Sequence, residues 1–170
     1  MPRPRVSSSV ILPPFQRLLD AHGRDVHRFL IATIGPGDAD DCYQETWLAA
    51  LRAYPRLRDA SNLRSWLLTI AHRKAVDAAR ARRRQPVAVA SVPERASAPL
   101  EGVPPTDFSD QGLWARVREL PDKQRTALAL RFVSDAAYAD IAAVMETTEE
   151  AARRSVHEGL KRLRMEYAND

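Results

Sequence analysis

Apolar residues in the first part of the chain recur three and four positions apart, which is the spacing of one face of an α-helix. They predict a first helix over residues 15–34, with its apolar face at Phe15, Leu18, Leu19, Val26, Phe29, Leu30 and Thr33. A Gly-Pro-Gly triplet at 35–37 ends that helix. Asp38 is the predicted N-cap of a second helix that runs to about Tyr54, with Asp41 as the acid of a capping box. The predicted inward side of the second helix is Cys42, Tyr43, Thr46, Trp47, Ala50 and Leu51.

A third helix is predicted over residues 63–84, after a loop over residues 55–62. The apolar face of the third helix is Trp66, Leu67, Ile70 and Ala71. Residues 1–14, with four prolines and three serines, are predicted to form a flexible tail. Residues 85–110 contain five prolines and no sustained periodicity, so they are predicted to form a linker that buries too little apolar surface to order itself.

Helical spacing returns after the linker. Short helices are predicted over 113–119, 122–132 and 138–145, and a last helix runs from Thr147, paired with Glu150 in a capping box, to about Tyr167. No stretch shows strand alternation. The predicted fold is therefore all-α, with two small helical domains on one tether. The predicted order is a tail at 1–14, an N-terminal helix bundle at 15–84, a linker at 85–112 and a C-terminal helix-turn-helix bundle at 113–170.

The last two predicted helices have the pattern of a helix-turn-helix. Ile141, Ala142 and Met145 can face the last helix, which presents Ala152, Val156, Leu160 and Leu163 in return. Arg153 and Arg154 lie near the start of that helix, where a recognition helix meets base edges in the major groove. The alternative interpretation of this block is an ordinary bundle of three or four helices.

Charge is distributed unevenly along a chain whose overall composition is that of a globular protein, with 45% apolar and 28% charged residues. Residues 1–84 carry 15 Lys and Arg against 8 Asp and Glu, whereas residues 113–170 carry 10 of each. Such a basic excess indicates a polyanionic partner for the first half of the chain. Apolar runs are too short for a signal peptide or a membrane span, so we expect no membrane insertion.

Residue types that carry enzymatic chemistry are sparse. A single cysteine, Cys42, excludes an internal disulfide and a cysteine-based zinc site, and a reducing, cytoplasmic location fits best. Cys42 itself is interpreted as a small buried hydrophobe. The four histidines are scattered, and no glycine-rich phosphate loop is present. We therefore expect no enzymatic activity, no catalytic residue, no metal and no cofactor.

Three segments together resemble the extracytoplasmic-function (ECF) class of bacterial sigma factors, within the sigma-70 family. Residues 38–47 (DADDCYQETW) are similar to the acidic helix that docks on the polymerase. Residues 63–77 (LRSWLLTIAHRKAVD) resemble the helix that melts and holds the minus-ten element. Residues 120–125 (LPDKQR), followed by LRF at 130–132, resemble the entry to the domain that reads the minus-thirty-five element.

This resemblance implies a protein that binds bacterial RNA polymerase core, directs it to promoter DNA and helps to melt that DNA. The implied polymerase-binding residues are Asp38, Asp40, Asp41, Gln44 and Glu45. The implied minus-ten residues are Arg58, Ser61, Asn62, Arg64, Trp66, His72, Arg73, Lys74 and Arg80, although the spacing of Trp66 favours a core position. The implied minus-thirty-five residues are Thr148, Ala151, Arg153, Arg154, Ser155, His157 and Lys161. An inhibitory anti-sigma factor is a common partner in that class, and no residue here identifies one.

Two positions depart from the family pattern. The turn of the helix-turn-helix usually holds a glycine, and this sequence has Glu146. Glu158 stands where a cation usually lies near phosphate, and it should repel DNA unless a nearby cation pairs with it. Two alternatives to a sigma factor therefore stay open. One is a stand-alone helix-turn-helix regulator, and the other is an interaction module that only titrates polymerase or an inhibitor protein.

Overall fold

The computed structural model describes residues 10–85 and 111–169, and over these ranges the chain folds into α-helices without strands. The predicted all-α class is therefore confirmed. Three helices form the N-terminal domain: α1 (Phe15–Ile34), α2 (Pro36–Ala53) and α3 (Leu63–Arg84), with a 3₁₀ turn at Tyr54–Arg56 after α2. Most of the predicted linker lies outside the described residues. No helix within the two described ranges is long and apolar enough to cross a membrane.

The C-terminal domain contains four helices. They are α4 (Gln111–Glu119), α5 (Asp122–Leu128), α6 (Tyr138–Val144) and α7 (Glu149–Ala168). A π-helical segment, Ala129–Val133, continues α5, and its wider turn is closed by a hydrogen bond from Ser134 N to the Ala129 carbonyl at 3.2 Å. The single helix predicted over 122–132 is thus α5 with this π segment added. Helix α4 begins two residues earlier than predicted.

The N-terminal core is built where α1, α2 and α3 pack against one another. Phe29, Leu30 and Leu67 are fully buried, and an aromatic cluster closes one end of the bundle. Within that cluster the ring centroid of Phe15 lies 5.8 Å from that of Trp47 and 5.3 Å from that of Tyr54. The part of the predicted tail that the structure describes also joins this end, because Leu12 packs against the core and the Tyr54 hydroxyl donates to the Pro13 carbonyl.

Three local predictions about helix α2 and helix α7 are wrong. Helix α2 begins at Pro36 rather than after Asp38, because proline suits the first helical turn, where its missing N–H has no partner to lose. The N-cap of α7 is Thr148, whose hydroxyl accepts from Ala151 N at 3.1 Å, so the capping box expected from Thr147 and Glu150 does not form. Leu51, expected in the core, is 51% exposed because Cys42, Thr46 and Ala50 define the inward face of α2.

The two domains pack against each other. Helix α1 contacts α4 and the π segment, and α3 contacts α6. At the α1–α4 contact, Arg118 donates to the Ile31 carbonyl at 3.4 Å and lies against Gly35, whose φ of 84° is a conformation that glycine adopts at little cost. Burial lowers the pKa of Arg118 from its ordinary value.

Candidate functional site

Helix α2 presents an acidic and apolar face to solvent on the side away from the core. Asp41, Gln44 and Glu45 are exposed, and helical spacing places Leu48 and Leu51 on the same side. Both leucines are about half exposed, at 53% and 51%. We call these five residues the α2 face. The sequence analysis did not assign the two leucines to this surface. Their helical spacing from Asp41 and Gln44 is the signal that could have indicated it.

The other two acids predicted on this surface each have a partner within the chain. The carboxylate of Asp40 accepts a hydrogen bond from Nε2 of His27 on α1 at 2.9 Å, and only 18% of its side chain is exposed. Asp38, in the first turn of α2, forms an ion pair with Arg82 near the end of α3. Their expected contact with polymerase stays a prediction.

The residues predicted to hold minus-ten DNA occupy the loop before α3 and much of that helix. Asn62 caps α3, with its side-chain oxygen accepting from Ser65 N at 3.0 Å. Arg58 and Ser61 are exposed in the loop, where Ser61 N donates to Asp59 at 2.9 Å. Hydrogen bonds from the Ser61 side chain and then from its backbone N–H lower the pKa of Asp59. Trp66 is half-buried, packs against the core and lies 6.1 Å from the Tyr54 ring.

Several of these polar side chains point at the C-terminal domain. Asn62 donates to Asp140 on α6 at 2.9 Å, and Arg73 donates to Glu146 in the following turn at 2.7 Å. Arg64 donates to Asp25 on α1 at 3.0 Å and also to the Ser134 carbonyl. The C-terminal domain therefore contacts the surface of α3 that the sequence assigns to promoter DNA.

A groove of about 630 Å³ separates α3 from α5 and α7. His72 and Arg80 line it on the α3 side, and Ala151, Arg154 and Ser155 line it on the α7 side. Burial is the main reason that the pKa of His72 is lowered from its ordinary value. The structure thus brings residues from both predicted DNA-binding sets to one groove. Lys74 lies elsewhere on α3, where its carbonyl is 3.9 Å from the Cys42 sulfur.

The predicted recognition helix α7 carries balanced charge near its start. Arg153 pairs with Glu149 at 3.5 Å, and Arg154 pairs with Glu150 at 3.2 Å. The guanidinium of Arg153 also lies 4.8 Å from the centre of the Tyr138 ring. His157 and Lys161 are exposed further along the helix, and Thr148 is its N-cap.

The departure at Glu158 has a partner, but it is not a cation. The side-chain amide of Gln124 donates to the Glu158 carboxylate at 3.4 Å. The packing of the helix-turn-helix itself agrees with the sequence, because Ile141, Ala152 and Val156 are buried between α6 and α7. Within the described ranges, no group of three or more His, Cys, Asp or Glu side chains is placed to hold a metal ion.

Comparison with known proteins matches each half of the chain to a described protein family. Residues 18–85 match the family described as Sigma-70 region 2, and residues 110–163 match Sigma-70, region 4. Over 140 residues the chain is 32% identical to the probable RNA polymerase sigma-C factor of Mycobacterium bovis, covering 76% of this chain and 70% of that protein. Over 134 residues it is 37% identical to the ECF RNA polymerase sigma factor SigD of Mycobacterium tuberculosis, covering 75% and 62%.

Solved structures agree on the fold. The sigma factor RpoE, crystallised with the anti-sigma factor NepR from Bartonella quintana, superimposes with a TM-score of 0.68 at 23% identity, covering 89% of this chain and 94% of that one. CnrH, in complex with the cytosolic domain of CnrY, gives 0.64 at 21% identity, covering 92% and 88%.

A region 2 domain followed by a region 4 domain defines a promoter-directing subunit of bacterial RNA polymerase. The chain belongs to the extracytoplasmic-function class of the sigma-70 family. It therefore binds RNA polymerase and promoter DNA and directs transcription initiation, and the resemblance drawn from three sequence segments is confirmed. Members of this family are transcription initiation factors.

Proposed function

We propose that the α2 face docks this sigma factor on the polymerase core, that the loop and outer surface of α3 hold the minus-ten strand, and that α7 reads the minus-thirty-five element. The observation that carries the proposal is the separation of these surfaces on the folded chain. The α2 face is acidic and apolar and lies in solvent, whereas Asn62 at the N-cap of α3 and Arg73 within it contact the other domain. Polymerase and DNA then use different surfaces of the N-terminal domain.

The composition of the α2 face suits a protein partner. Exposed leucines contribute apolar area that is lost from water on docking, and flanking acids favour a partner surface of positive charge. Arg64, Arg73 and Lys74, by contrast, suit contacts with the phosphate backbone of a strand. Promoter opening also requires unstacked bases, and the exposed loop around Arg58 and Ser61 offers a place for one.

The protein is proposed to act without enzymatic chemistry of its own and in the cytoplasm, where the polymerase is. An anti-sigma partner is proposed as well, because two solved structures with this fold are complexes, one of RpoE with the anti-sigma factor NepR and one of CnrH with the cytosolic domain of CnrY.

A second candidate function is titration of polymerase without promoter reading by α7. The balanced charge of α7 favours it, since Glu149 and Glu150 pair with the two arginines that would contact DNA. Exposed pairs of this kind are weak, so phosphate groups can displace them.

Alanine substitution of Arg153 and Arg154 separates the two candidates. Transcription with purified bacterial core polymerase on a pool of genomic promoter fragments is compared with the matched variant Arg162→Ala/Arg164→Ala, which removes two exposed arginines from the same helix. Promoter reading by the start of α7 predicts a changed set of transcripts for the first variant only. An unchanged set for both variants would refute that role of α7, whereas polymerase binding without any new transcript, even with the wild type, would favour the titrating module.

A further inference from the structure

The loop that leads into α3, residues 57–62, starts and ends on one aromatic cluster, and we call it the α2–α3 loop. Tyr54 begins the 3₁₀ turn before this loop, and Trp66 lies in the first turn of α3 after it. The two ring centroids are 6.1 Å apart, and the ring of Phe15 at the start of α1 packs edge-on against Tyr54 at 5.3 Å. Both ends of the loop are therefore anchored on the same cluster.

Hydrogen bonds within the α2–α3 loop hold its backbone. Leu57 packs against the core, and its N–H donates to the Tyr54 carbonyl at 3.1 Å. Further along the loop, Ser61 N donates to Asp59 at 2.9 Å. The exposed side chains of Arg58 and Ser61 thus project from a loop whose backbone is fixed by its own contacts.

A short segment before α1 bonds to Tyr54 from the other side. Residues 10–14 form no helix and end in two prolines, and Pro14 has extended φ and ψ of −54° and 136°. Because proline fixes its own φ, the end of this segment is stiff. The Tyr54 hydroxyl donates to the Pro13 carbonyl, and Leu12 packs against the core. Tyr54 therefore joins this segment to the turn that begins the α2–α3 loop.

Capture of an unstacked base favours a loop whose shape exists before DNA arrives. Unstacking and unpairing a base costs free energy, and a loop that must first order itself adds a further cost. A site supported by packing and hydrogen bonds beneath it avoids that further cost. The contacts of Tyr54, Pro13 and Leu12 supply such support from within the N-terminal domain.

We propose that residues 10–14 and Tyr54 position the α2–α3 loop for promoter opening, with Tyr54 as the positioning residue and Leu12 as the anchor of the segment. Tyr54 acts by fixing the turn from which Arg58 and Ser61 are presented. The role in promoter opening rests on the proposed function of the α2–α3 loop, whereas the support of the loop by the segment does not.

Two variants remove this support, and two matched variants leave it intact. Tyr54→Phe deletes only the hydroxyl that bonds to the segment, and Leu12→Ala deletes the anchor. Ile11→Ala truncates the neighbouring residue, which is 92% exposed. Tyr43→Phe deletes the hydroxyl of another buried tyrosine in the same domain. Circular dichroism shows whether each variant keeps its helices.

Hydrogen exchange of the Leu57 amide, measured by NMR on the full chain without DNA, tests the support itself. Tyr54→Phe and Leu12→Ala should each raise the exchange rate about fivefold, because the lost contact makes local opening of the turn more frequent. Ile11→Ala and Tyr43→Phe should exchange at the wild-type rate. An unchanged rate in Tyr54→Phe, or an equal rise in Tyr43→Phe, overturns the support.

Base preference tests the role in promoter opening. Core polymerase transcribes one responsive promoter randomised across its minus-ten element, and Arg58→Ala/Ser61→Ala identifies the positions that the loop reads. Tyr54→Phe and Leu12→Ala should reduce discrimination at those positions about threefold, because a displaced loop loses geometric selectivity. The two matched variants should keep the wild-type preference. A loss of transcription that is equal for every base would show a merely structural role and overturn the positioning role.

The same assay distinguishes a failure of the loop assignment from a failure of the positioning role. An unchanged preference in Arg58→Ala/Ser61→Ala would refute the reading of minus-ten DNA by the α2–α3 loop, and with it the role of residues 10–14 in opening. A changed preference in that variant, together with the wild-type preference in Tyr54→Phe and Leu12→Ala, would overturn the positioning role alone.

Discussion

The side chains of His27 and Asp40 form a hydrogen bond of 2.9 Å that joins α1 to the first turns of α2. His27 is almost fully buried, and the ring of Tyr43 packs edge-on against it with 5.3 Å between the centroids. Asp40 is therefore placed to position the N-terminal half of α2. Its neighbour Asp41 points to solvent on the α2 face. Asp40 and Asp41 were both predicted to bind polymerase, but only Asp41 is free on the exposed surface, because Asp40 bonds to His27.

Substitution of these acids should separate stability from docking. Asp40→Asn should lower the free energy of unfolding by about 1–3 kcal/mol, because it disturbs a largely buried hydrogen bond to His27. Asp41→Asn should leave stability nearly unchanged and weaken binding to core polymerase. Urea denaturation and a polymerase-binding titration measure the two effects. Unchanged stability for Asp40→Asn, together with lost polymerase binding, would contradict this division.

The exposed leucines of α2 should contribute to docking rather than to folding. Leu48→Ala/Leu51→Ala should weaken polymerase binding at least tenfold, since buried apolar side chains at an interface centre carry much of its energy. The free energy of unfolding should change little, because both side chains are already half in water. Met165→Ala, which truncates an exposed apolar residue of α7, serves as the control and should bind polymerase normally. If Leu48→Ala/Leu51→Ala binds polymerase as tightly as Met165→Ala does, the two leucines are not part of the docking surface.

Gly159 is required by the packing of α7 on α5. A Cβ at this position would lie 2.8 Å from Cδ1 and 3.2 Å from Cγ of the buried Leu128. Gly159→Ala should therefore destabilise the C-terminal domain by about 1–3 kcal/mol, in spite of the better helix propensity of alanine. Gly37→Ala in α2 is the matched control, because a Cβ there would meet no atom within 4 Å. In thermal denaturation, the melting temperature of Gly37→Ala should equal or exceed that of the wild type. A Gly159→Ala variant as stable as the wild type would contradict the close packing of Gly159 on Leu128.

Cys42 should be a poorly reactive thiol. Burial is the main reason that its pKa is raised to about 11, and the nearby acids Glu45, Asp38 and Asp41 add to the effect. Because the thiolate is the nucleophile, alkylation at about pH 8 should be about 100-fold slower than for an unperturbed thiol. Iodoacetamide labelling followed by intact mass, in native buffer and in denaturant, measures this ratio. Rapid native labelling would contradict the interpretation of Cys42 as a small buried hydrophobe.

The sequence predicted those helix limits that local chemistry decides. The limits of α1 and α3 agree with the structure because Gly35 and Pro36 stop the first helix and Asn62 supplies an N-cap for the third. The start of α7 was misplaced by one residue, since Thr147 and Thr148 are adjacent and equally suited to capping. Leu51 was assigned inward because leucine is usually buried, and only the packed position of α2 shows that this face is free.

The contacts between domains could not be predicted from the sequence. Arg73 and Glu146 are 73 positions apart, and the sequence between them includes the predicted linker, so no local pattern relates them. The sequence did show that Glu146 departs from the family pattern. It could not show that the carboxylate meets an arginine of the other domain.

Run-off transcription tests the central claim most directly. Purified bacterial core polymerase is assayed on a pool of genomic promoter fragments, alone, with the wild-type protein and with Asp41→Asn/Gln44→Ala. We expect discrete new transcripts with the wild type, and their loss with a variant that is folded but no longer docks. Transcripts that depend on the protein but persist in the variant would contradict the docking role of the α2 face. The absence of any new transcript, with polymerase bound or unbound, would contradict the assignment as a promoter-directing subunit.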